Sequence, residues 1–133
     1  MLKFLSVLTV LCLVSPVAAQ AAPTLGRADA VAWDAVTLDV NGQPDTITFY
    51  DVAIVASGAN LNTAGTAVIV SVTVTAPKLD TTGTVLLATL ANGNYVAQVR
   101  ARDAAGNVSA WSAPFAFGFD GVPPTAPANV RKK

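Results

Sequence analysis

Two linked segments carry the reading of the fold: Leu90-Ala91-Asn92-Gly93-Asn94-Tyr95 and, four residues on, Val99-Arg100-Ala101-Arg102-Asp103-Ala104-Ala105-Gly106-Asn107. Between Tyr95 and Arg102 the side chains alternate. Tyr95, Ala97, Val99 and Ala101 fall on one side, and Val96, Gln98, Arg100 and Arg102 on the other. A period of two with one apolar face describes a strand packed on a core on one side and wetted on the other. Asn92-Gly93 before it and Ala105-Gly106-Asn107 after it are turn residues, so the strand is bounded at both ends.

The same pattern repeats outward in both directions. Candidate strands cover residues 28–35, 46–55, 66–75, 83–88, 94–102 and 113–119, separated by Gly, Asn, Asp and Pro. In the third, Val68, Val70, Val72 and Val74 oppose Ile69, Ser71, Thr73 and Thr75; in the last, Phe115, Phe117 and Phe119 share a face. No stretch carries a helical period. Short strands at regular spacing predict an all-β antiparallel sandwich.

These residues resemble a bacterial fibronectin type III domain, an immunoglobulin-like sandwich of about seven strands. The likeness runs from about Pro23 to Asp120 and includes Trp33-Asp34, Tyr50-Asp51-Val52, the two segments above and Trp111-Ser112. It implies that Trp33 lies on strand B in the core and that Leu90 and Tyr95 form a tyrosine corner. The chain departs from the family in the segment 57–80, which is longer than the usual connection: residues 66–75 are assigned as an extended strand C′, the alternative being a continuous C′-to-E region broken at Pro77. Strand A has little room before strand B, so it is short and leaves the B edge open.

The first 21 residues read as a secretory signal peptide. Lys3 precedes an apolar run from Phe4 to Val14, then Ser15-Pro16 and small residues, with cleavage after Ala19 or Ala21. The run is shorter than the ~20 residues that span a bilayer. The expected product is secreted, extracellular or periplasmic, with no membrane span after cleavage: a domain at residues 22–120 and a Pro-rich tail at 121–133.

The chain of 133 residues has no His, one Cys and a formal net charge of zero. A His-based triad and a Cys/His zinc site are excluded by inventory. Neutrality conceals an asymmetry. All eight acids are Asp, opposed in the body by Arg27, Lys78, Arg100 and Arg102 alone, while Arg131-Lys132-Lys133 ends the chain. An acidic body without a basic, aromatic-interleaved face argues against nucleic acid. Asp39, Asn41 and Asp45 form an oxygen-rich loop, but their spacing departs from a calcium loop and Asn41-Gly42 is ordinary turn chemistry. No metal or other cofactor is expected.

What remains is a non-enzymatic module for protein contact, in adhesion, matrix or self-association. Two surfaces are candidates. On the outer sheet face, Phe49 beside Val96 is the apolar feature, next to an expected cross-strand pair of Asp51 with Arg100 or Arg102. In the tail, Pro127, Val130, Arg131, Lys132 and Lys133 suit strand addition to a neighbouring copy at the open B edge. The alternative for the tail is a solvated extension. The alternative for the protein is a carbohydrate-associated accessory domain, for which Phe49 and Trp111 are the available aromatics.

Overall fold

The computed structural model describes residues 20–133, so all but the last two residues of the expected signal segment lie outside the described residues. Five strands form one sheet: β1 (Thr24–Leu25), β2 (Ile47–Ala56), β3 (Val70–Thr75), β4 (Gly93–Asp103) and β5 (Phe115–Phe119), in the order β1-β5-β4-β2-β3. All pairings are antiparallel except β1 with β5. The described residues are all-β, and they include no helix long and apolar enough to cross a membrane.

The inner face follows the alternation. Val52, Ile54, Val74, Ala97, Phe117 and Phe119 are buried in one cluster, with Tyr95 and Val99 partly buried against it. The opposing layer is not a second regular sheet. Residues 28–35 make only the bridge Ala32–Asp80, although Val31 is buried and Trp33 packs on Tyr50 at 5.4 Å. Backbone bonds from Trp33 to Leu79 and from Thr81 to Val31 tie that segment to residues 79–81.

Residues 83–88, expected as a strand, are a run of turns. The N–H groups of Thr84, Ala88 and Leu90 donate to carbonyls three residues back, at Thr81, Val85 and Leu87. Bonds of that reach coil the chain and turn Leu86, Leu87 and Leu90 together into the core, which an extended strand could not do because adjacent residues alternate. Three buried leucines therefore do the work of a strand face.

The N-terminal segment also departs from expectation. It is short, but β1 lies beside β5 and not beside residues 28–35. Gly118 N–H donates to Pro23 C=O at 2.8 Å and Asp120 N–H to Leu25 C=O at 3.0 Å. Arg27 locks this arrangement: its guanidinium donates to the carbonyls of Gly121 and Ala88 and lies over Phe119. Residues 28–35 thus present no regular strand edge for a neighbour. Because β1 and β5 are parallel, the chain enters along β5 from one end and leaves from the other.

Candidate interaction surfaces

The outer face of the sheet is half covered. Gln98 is 0% exposed there, because the loop after β2 folds across it. Its Oε1 accepts from Leu61 N–H at 2.7 Å, and its Nε2 donates to Asn60 Oδ1 at 3.1 Å and Ser112 C=O at 2.8 Å. Ala53, Val55 and Val96, on the same face of the sheet, are buried as well. Val96, a candidate contact residue, is only 3% exposed and pairs with Val55, whereas Phe49 pairs with Arg102 toward the other end of the face. The expected Phe49–Val96 patch does not exist, because alternation cannot reveal that a long loop returns over the solvent side.

The uncovered half holds an ionic ladder. Asp51 accepts from Arg102 Nη2 at 2.8 Å through both oxygens, from Arg100 Nε at 3.0 Å and from Thr73 Oγ1 at 3.0 Å. Arg100 lies over Trp111 at 4.7 Å and Arg102 over Phe49 at 5.9 Å. Phe49 is 37% exposed, but one face of each aromatic ring is taken by a guanidinium, which is poor geometry for a sugar platform.

Burial pushes the Asp51 carboxyl up, but the hydrogen bonds from Arg102, Arg100 and Thr73 outweigh it and hold the group below its ordinary value. A depressed carboxyl pKa contributes stability that is present above the unfolded value, near ~3.9, and disappears as pH falls through the folded one. Asp51→Asn is expected to cost about 1–2 kcal/mol at pH 7, the partly exposed arginines limiting the effect. In urea unfolding, the gap between the two proteins should close below about pH 4.

The oxygen-rich loop is spent on its own backbone. Asp39 Oδ1 accepts from Asn41 N–H at 2.8 Å and Gln43 N–H at 2.9 Å, and Asp45 Oδ1 accepts from Thr46 N–H at 2.7 Å. Gly42, at φ 78°, supplies the left-handed turn residue. No group of three metal-ligating side chains occurs among the described residues.

At this same pole lies a surface the sequence did not disclose. An open cleft of about 400 Å³ separates residues 36–47 from the turn after β4. Its apolar lining, including Val36, Leu38, Val40 and Val108, is exposed, Val40 to 98%. Asp39, Asp45 and Asp103 also line it. Hydrogen bonds from the Asn107 side chain, and from the backbone of the turn, outweigh desolvation and hold Asp103 below its ordinary range, so it is ionised at neutral pH. None of the three has a cation within salt-bridge reach among the described residues, since Arg100 and Arg102 pair with Asp51 and Lys78 with Asp80.

The tail is the remaining candidate. Gly121 and Val122 N–H groups bond to Asn92 and Asp120; from Pro123 onward every residue is exposed, Val130 to 90%. Pro127, Val130, Arg131, Lys132 and Lys133 therefore stand clear of the body. Compared with known proteins, the chain matches no family model, no curated protein and no solved structure.

Proposed function

We propose that the protein is a secreted, non-enzymatic interaction module with a fibronectin type III-like sandwich architecture, its second sheet reduced to bridged and turning segments, and that copies associate through the C-terminal tail. The observation that carries this reading is the tail itself: twelve residues from Val122 to Lys133, nearly free of contacts, ending in three cations beside an exposed valine. A body whose own cations are already engaged supplies the opposite charge. Strand addition at residues 28–35 loses its support, since that segment has no regular edge to extend.

The lack of His in the whole sequence and the dispersal of its Asp residues support a binding role over a catalytic one. The test is the mass of the processed chain by sedimentation equilibrium, with and without residues 122–133. Concentration-dependent association that disappears with the tail is the expected result. A monomer at ~1 mM in both forms, a concentration at which even weak contacts are populated, overturns it.

A further inference from the structure

Resting on the self-association just proposed, we infer that the cleft between residues 36–47 and the turn after β4 is a receptor for a basic-apolar peptide, and that its occupant is Val130-Arg131-Lys132-Lys133 of a second copy. Leu38 and Val108, with the fully exposed Val40 at the mouth of the cleft, offer Val130 an apolar contact. Asp39, Asp45 and Asp103 line the cleft, three carboxylates hydrogen-bonded to local N–H groups but without a cation partner among the described residues, against the three cations of the tail. An exposed apolar patch rimmed by charge is the surface pattern of a contact site, and opposite charges steer and orient the encounter.

The arrangement of the poles makes the contact intermolecular. The tail leaves beside Asn92, at the start of β4, whereas the cleft lies beyond Ala101 and Asp103, at its end. The eleven residues of β4 span about 33 Å at the usual rise. From Gly121 to Val130 the chain has nine steps, and at about 3.1 Å each in the extended form its three prolines favour it covers about 28 Å. It must also reverse direction first, so Val130 falls short of its own cleft. A donor pole and a receptor pole at opposite ends suit a head-to-tail, heterologous contact, which builds a ring where its rotation closes and an open filament where it does not.

The test uses the processed full-length chain in a sedimentation series. Val40→Asp alters a side chain that packs on nothing, so folding is preserved; it is expected to weaken association at least tenfold. Asp45→Lys should do the same, and so should replacing Arg131, Lys132 and Lys133 by Glu. Mixing Asp45→Lys with the Glu-tailed chain should recover part of the association. Raising salt from ~0.05 to ~0.5 M should weaken the wild type, as screening of exposed charges requires. A synthetic peptide of residues 121–133, added to the tailless chain, should shift amide resonances of Leu38, Val40 and Val108.

If the tail is required for association but Val40→Asp and Asp45→Lys leave it unchanged, the cleft assignment is overturned and the tail-mediated reading stands. Peptide-induced shifts confined to β1 or β3 would overturn it in the same way. A wild-type chain that stays monomeric, with a peptide that shifts nothing, removes both.

Discussion

Gln98→Glu is expected to be among the most damaging isosteric changes available in this chain, costing about 3–5 kcal/mol at pH 7. The new carboxylate can still accept from Leu61 N–H. It cannot donate, and it faces Asn60 Oδ1 and the Ser112 carbonyl, which Gln98 Nε2 now satisfies. A fully buried charge opposed by two acceptors is penalised by desolvation and repulsion together, and both favour its neutral form. The folded-state pKa of such a glutamate is raised, so the penalty is absent below the unfolded value, near ~4.3, and develops as pH rises above it. Urea unfolding of the variant at pH 4 and pH 8 checks this. A loss independent of pH would mean that packing, not charge, fixes residue 98.

The second large effect is expected at Phe117, which is buried at the centre of the inner face and contacts Tyr95 and Phe115 through ring centroids 6.0 and 6.1 Å away. Phe117→Ala removes a large side chain from the layer joining β5 to the three buried leucines, and the expected loss is about 3–5 kcal/mol. Phe115→Ala, on the same strand but far more exposed, should cost less than half as much. Equilibrium unfolding of the pair measures the difference. Near-equal losses would show that the leucine layer does not pack on Phe117 as the structure has it.

How much of this was legible in the sequence differs by element. Strands β2, β3, β4 and β5 announced themselves because a period of two survives whatever covers the sheet. The Asp51–Arg100–Arg102 cluster was foreseeable for the same reason, since an alternation fixes which residues share a face. The covering layer was not. Val85-Leu86-Leu87 reads as an apolar strand, and only the spacing of Leu86, Leu87 and Leu90 hints that the chain coils there. The burial of Val96 and Gln98 is not legible in the sequence, because a strand pattern does not say whether a loop lies over its polar side. Ala53 and Val55, apolar on that same side of β2, were the available signal. The cleft is not legible in the sequence, because Val36, Leu38 and Val40 alternate like a strand yet belong to a loop that leaves them exposed.

The parallel seating of β1 along β5 has a mechanical consequence. Tension applied between the N-terminal segment and the tail slides β1 backward along β5, so the bonds from Gly118 to Pro23 and from Asp120 to Leu25 are loaded together in shear. An antiparallel pair pulled from its two ends at one pole would instead unzip bond by bond. The Arg27 guanidinium, gripping Ala88 and Gly121, carries part of that load. Once these contacts yield, about seven residues of slack are released while the core formed by β2, β4 and the leucine layer stays closed, since Leu25 only borders it. Single-molecule pulling is expected to register the release of β1 as a small first step of about 20 Å before global unfolding.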